Sequence, residues 1–147
     1  MLKNILSKEQ IPILRLKMTD QGLELDVVAS SPKIRYIAIS HVWADGLGNP
    51  HRNDLKACQL KYLWDCLKNL YAKSRSKMGS IYVWIDTLCC PLEPQLQTKA
   101  LGLTRETYSC AAAVLVLDAE LEMTASSKLD HLEILHRIAL STWMTRL

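Results

Sequence analysis

The chain has 147 residues, 49% of them hydrophobic and 22% charged, and a formal net charge of +3 at pH 7. That is enough apolar material for one core and one domain, and too little basic charge for a nucleic-acid protein with a concentrated basic face. No apolar run approaches the roughly 20 residues of a membrane helix, and the N-terminus lacks the apolar stretch and cleavage site of a signal peptide.

The five cysteines have no framework spacing. They read as reduced thiols in a cytoplasmic compartment. Residues 1–33 read as an N-terminal extension. There "IPILRL" and "LELDVV" flank "TDQG". The alternation of Leu23, Leu25 and Val27 predicts a half-exposed strand in a β-hairpin.

Three apolar runs follow: Tyr36–Ile39, Ile81–Ile85 and Ala113–Leu117. Each is short, rich in β-branched or aromatic residues, and apolar on both faces. Strands buried between two helical layers read this way. The runs end at Ser40, Asp86 and Asp118. Between the first two, Asn53 is the expected N-cap of a helix. Leu60, Leu63, Trp64, Leu67, Leu70 and Tyr71 fall on one stripe of it, with Lys61, Asp65, Lys68 and Lys73 opposite and Gly79 as the stop. Thr98–Ala112 is expected to form a second helix, with Leu101, Thr104, Arg105 and Tyr108 at helical spacing. A third runs through "KLDHLEILHRIALSTW", with Leu129, Leu132, Leu135, Ile138 and Ala139 on one face.

Alternating strands and helices predict an α/β sandwich with a mostly parallel central sheet. In such sheets ligands bind outside the carboxyl ends of the strands. "SHVWADG" and "DTLCC" are therefore expected to converge on one edge. The candidate ligand-binding residues are Ser40, His41, Trp43, Asp45, Gly46, Gly48, Asp86 and Cys89. Trp43 offers either a stacking face or a lid over the sheet edge. Amides near Gly46 and Gly48 can approach phosphate oxygens. Asp86 either accepts ribose hydroxyls or forms a turn before "TLCC". Ser40 and His41 are neighbours in an extended chain and point to opposite faces, which argues against a catalytic pair. Cys89 and Cys90 lack metal-ligand spacing, so no metal is expected. Cys58, Cys66 and Cys110 read as small core residues. His131 and His136 read as surface, and the basic run from Arg52 to Lys77 as a solvated helix face. Glu93 and Glu106 are acidic candidates without a recognisable catalytic context.

Four segments, in order, resemble the fungal heterokaryon-incompatibility (HET) domain family: "YIAISHVWADGLGN", "VWIDTLCCP", "TYSCAAAVLVLDAEL" and "STWMTRL". The resemblance implies a signalling and oligomerisation module of fungal cell death and self/non-self recognition. It would act through protein partners or self-association, with no required cofactor. HET domains are distantly similar to Toll/interleukin-1 receptor (TIR) domains, which have a flavodoxin-like sheet. Some TIR domains cleave NAD with a glutamate after a tryptophan-containing motif. By that similarity NAD or a related nucleotide is a candidate ligand or substrate, and NAD(P) cleavage is the alternative function. The corresponding glutamate would lie beyond Leu147, so residues 34–147 are expected to be a partial HET domain without that activity. A domain that binds a nucleotide without turnover is the third reading.

Overall fold

The computed structural model describes residues 1–72, 79–123 and 129–145. A short helix, α1 (Leu2–Ser7), buries Ile5 and Leu6 and leads into the hairpin. The sequence reading had no element there, because six residues are too few to show a period. Strands β1 (Pro12–Thr19) and β2 (Gly22–Ala29) pair antiparallel through a two-residue turn, in register from Thr19 opposite Gly22 to Pro12 opposite Ala29. Gly22 has φ +121°, a conformation that suits a residue without Cβ. Arg15 and Asp26 face each other across the pair, with a 2.5 Å ion pair.

Three further strands complete the sheet: β3 (Ile37–His41), β4 (Ile81–Trp84) and β5 (Ala113–Leu117). The order is β2-β1-β4-β3-β5. β3 pairs parallel with β4 on one side and β5 on the other. β1 pairs antiparallel with β4, Leu14 opposite Val83. The protein is therefore mixed α/β with an open five-stranded sheet that is only partly parallel. The expectation of a mostly parallel sheet fails because the hairpin occupies the free edge of β4 and adds two antiparallel pairs.

The core forms where β1, β3 and β4 meet α2 (Ala57–Ala72). It contains Ile13, Leu14, Leu16, Ile37, Ala38, Ile39, Leu63, Trp64, Leu67, Ile81, Val83 and Ile85. Trp84 stacks edge-to-face on Tyr108, their ring centroids 5.5 Å apart. Asn53 is not the cap of α2. Its side chain donates to the carbonyls of Thr87 and Cys90 and accepts from Leu92 N–H, pinning the loop before α2 to α3 (Asp86–Cys89). Gln59 Oε1 accepts from Lys56 N–H at the start of α2 instead. Of the predicted stripe, Leu70 is exposed. Lys73 lies outside the described residues.

The expected Thr98–Ala112 helix is two: α4 (Pro94–Gly102) and α5 (Thr104–Cys110), parted at Leu103 just after the weak helix former Gly102. Their buried residues are Ala100 and Thr107, and Leu101 points to solvent. After β5 come α6 (Ala119–Glu122), α7 (His131–Leu140) and α8 (Thr142–Thr145). The third predicted helix is therefore also broken, at Ser141, whose backbone is extended. Asp130 caps α7 by accepting from Glu133 N–H. α7 buries none of its residues, and Leu132 is 79% exposed. β5 likewise exposes Ala113 and Val114, against the expectation of cover on both faces. It is an edge strand. Among the described residues no helix is long and apolar enough to cross a membrane.

Candidate functional site

The parallel arrangement puts the carboxyl ends of β3, β4 and β5 on one edge of the sheet. Ser40 and His41 close β3, Asp86 follows β4, and Asp118 follows β5. The chain leaves β3 through a single 3-10 turn, Trp43–Asp45, that ends at Gly46 with φ +99°.

At the β3/β4 ends, Asp86 gathers the polar groups. His41 Nε2 lies 2.8 Å from Asp86 Oδ1, and Trp43 Nε1 donates to Oδ2 at 2.8 Å. Thr87 N–H donates to Oδ1 at 2.6 Å. Burial works to raise the carboxyl's pKa, but these donors, His41 foremost, outweigh it and hold the group below its ordinary range. Asp86 is thus an ionised hub. It fixes the ring of His41 and the indole of Trp43. The indole, 44% exposed, lies directly over Gly48, where a Cβ would come within 2.6 Å of it. Glycine at 48 is there to admit the ring. His41 is 2% exposed at its side chain, and its Nδ1 is buried without a hydrogen-bond partner.

At the β3/β5 ends the polar residues tie the chain together. Trp143 Nε1 donates to Ser40 Oγ at 2.7 Å, and Trp143 N–H to Asp118 Oδ2 at 2.9 Å. The buried Asp118 also caps α6, accepting from Glu120 and Leu121 N–H. Asp45 Oδ2 accepts from Ala119 N–H at 3.0 Å. "SHVW", "IDT", "VLD" and "STW" thus meet at one edge through hydrogen bonds made by two tryptophans and three aspartates.

A cleft of about 550 Å³ opens beside this cluster, lined by His41, Leu47, Lys56, Tyr62, Leu117 and Glu122, together with Asp45, Gly46, Cys58, Gln59 and Ala119. Its place follows from topology. β3 comes first among the parallel strands, and its two partners lie on opposite sides, so the winding reverses between β3 and β5. Ligand crevices form at such switch points. Tyr62 donates to Glu122 Oε1 across the cleft, and Gln59 donates to the Gly46 carbonyl. Burial and the neighbouring Glu122 push the Tyr62 phenol's pKa strongly up.

Of the eight candidate residues, His41, Asp45 and Gly46 line the cleft. Trp43, Gly48 and Asp86 form the supporting cluster behind His41. Ser40 is engaged by Trp143. Cys89 is fully buried in the core, and burial raises its thiol pKa far above the ordinary value. Sequence reasoning missed Lys56, Gln59, Tyr62 and Glu122. Gln59, Tyr62 and Glu122 come from helices and Lys56 from the residue just before α2, not from the strand-end loops. The one available signal was an aromatic polar residue, Tyr62, outside the apolar stripe of α2. Among the described residues no group of three or more His, Cys, Asp or Glu is placed to hold a metal ion.

Fold and site together define a mixed α/β domain with a cleft at the switch point of its parallel strands. Residues 36–146 match the family model described as heterokaryon incompatibility protein (HET). The match spans well over half of the chain, and the chain belongs to that family. No curated protein and no solved structure matches it. The helix α1 and the β1–β2 hairpin lie outside the matched residues.

Proposed function

We propose that this HET domain serves fungal self/non-self recognition in the cytoplasm as a signalling module that works by self-association. The observation that carries this reading is the uncovered apolar surface of α7. Leu132 and Leu135, 79% and 61% exposed, share a stripe with Ala139. A soluble domain that presents such a stripe gains by covering it, since apolar contact is stabilised by about 25 cal/mol per Å² removed from water. Sedimentation across a concentration series is the test. The parent chain should associate as concentration rises, and Leu132→Lys with Leu135→Lys should shift it towards monomer. A parent that stays monomeric at the highest concentration would count against the reading.

The cleft favours a second reading, in which the module binds a nucleotide such as NAD at its switch point. The order of the three parallel strands, with the first in the middle, also supports a flavodoxin-like and TIR-like relationship. In this reading His41 and Lys56 meet the ligand, and Asp86 orients His41 instead of reading ribose itself. NAD(P) cleavage is the enzymatic extension of it. Calorimetric titration of NAD into the chain should give a saturable heat. Silence in the calorimeter, with no thermal stabilisation by NAD, would leave self-association as the sole reading.

A further inference from the structure

We propose that β5 is a dimer contact: its open edge pairs antiparallel with β5 of a second copy across a two-fold axis, carrying the sheet from one chain into the other. The inference deepens the self-association reading above, on which it rests, and gives association a surface apart from α7. Three observations carry it. First, β5 ends the sheet order, and among the described residues only β3 pairs with it. Every second N–H and C=O of such a strand points away from its one neighbour, so the outer side of β5 is a row of main-chain donors and acceptors. Second, the side chains leave that row approachable, since Ala113 is exposed and Val114 is 45% exposed. Third, the edge is unguarded. Natural proteins blunt an open edge with lysine, proline or another charge. From Cys110 to Leu117 this chain has none of these.

The two edges of the sheet differ, and the difference selects the occupant. β2, at the other edge, carries Glu24 and Asp26. Pairing β2 with β2 of a second copy would bring like charges together. Pairing β5 with β2 would set Ala113 and Val114 beside those carboxylates and strip water from them. β5 against β5 meets neither cost. Both strands are uncharged, and the exposed alanine and valine of each cover those of the other. Antiparallel pairing of identical edges is also isologous, so it closes at two copies, whereas β5 on β2 would propagate from chain to chain.

The test pairs sedimentation with hydrogen exchange read by mass spectrometry, both on the full chain. Leu132→Lys with Leu135→Lys removes the α7 contact and leaves the edge. That double variant should still form dimers and stop there. Adding Val114→Lys sets like charges near the two-fold axis, at a site exposed enough to hold a lysine in the monomer, and should abolish the dimer. In the associated parent the outward amides of β5 should exchange about tenfold more slowly than at concentrations where the chain is monomeric, with the amides of β2 unchanged. A folded triple variant that dimerises as tightly as the double variant overturns the inference. So do β5 amides that exchange at one rate at both concentrations. A double variant that is wholly monomeric overturns it too and leaves association to α7. Growth of the double variant past the dimer overturns the two-fold pairing in favour of β5 on β2. A parent that stays monomeric at the highest concentration overturns both the self-association reading and this inference. If the triple variant does not fold, exchange on the parent decides alone.

Discussion

At the scale of single residues, the edge of the sheet is organised by close approach and by charge. Gly48 has room for no side chain, because a Cβ would lie 2.6–2.8 Å from three carbons of Trp43. Two of those carbons are Cβ and Cγ, so rotating the ring does not relieve the clash. Gly48→Ala should therefore cost about 1–3 kcal/mol and change the Trp43 fluorescence, read by urea titration. Asp86 is held below its ordinary pKa of 3.8. Its contribution is present above that value and is lost as pH falls through the lower folded value. Asp86→Asn should cost about 1–2 kcal/mol near neutrality, and its urea midpoint should converge on the parent's as pH drops below about 4. Thiol reactivity should follow burial. Cys58 and Cys110 are exposed, Cys89 is buried, and burial pushes Cys90 up to about 12. Mass spectrometry after brief alkylation of the native chain should find Cys58 and Cys110 modified and Cys89 untouched. The sequence placed Ser40, Asp86 and Asp118 at or just past the carboxyl ends of the strands. It did not show that Asp86 faces His41 and Trp43, because that pairing spans more than forty residues and depends on the strand order.

At the scale of elements, periodicity found what one helix or strand says about itself and missed what its neighbours do. The bounds of β5 were legible, Ala113–Leu117, and so was the Leu63, Trp64 and Leu67 stripe of α2. The stripe of α7 is equally regular, yet Leu132, Leu135 and Ala139 of it face solvent and Ile138 is only half-buried. An amphipathic pattern reports that a face is apolar, and only tertiary packing decides whether it is covered. The two stripes should answer differently to truncation. Leu67→Ala should cost about 2–5 kcal/mol in urea unfolding. Leu135→Ala should stay within about 0.5 kcal/mol at concentrations where the chain is monomeric. The breaks at Leu103 and Ser141 were illegible for a related reason. Each lets a side chain reach a partner far away in sequence, as when Trp143 docks on Ser40 and Asp118. Trp143→Phe loses the donor together with the pyrrole part of the indole. The lost hydrogen bond should account for about 1 kcal/mol of its cost, and that part should be absent in a Ser40→Ala background if the two groups act as a pair.

At the scale of the whole molecule, the parallel trio was legible in the alternation of strands and helices, and the sheet that contains it was not. The pairing of β1 with β4 brings together residues more than sixty apart, and neither strand carries a mark of the other. Its consequence is energetic. Ile13, Leu14 and Leu16 of β1 are buried in the same core as Ile81 and Val83 of β4. The hairpin therefore completes the domain from outside the residues that match the HET family. A chain that begins at residue 34 retains that match but bares one edge of β4 and the core beside it. Burying three large aliphatic side chains contributes about 1.5–3 kcal/mol each, which is comparable to the whole stability of a domain this size. The shortened chain should accordingly lose its cooperative urea transition and its near-ultraviolet circular dichroism, while binding a hydrophobic dye and keeping part of its helical signal. A sharp transition with the parent's denaturant slope would show instead that the β3-centred sheet closes its core without the hairpin.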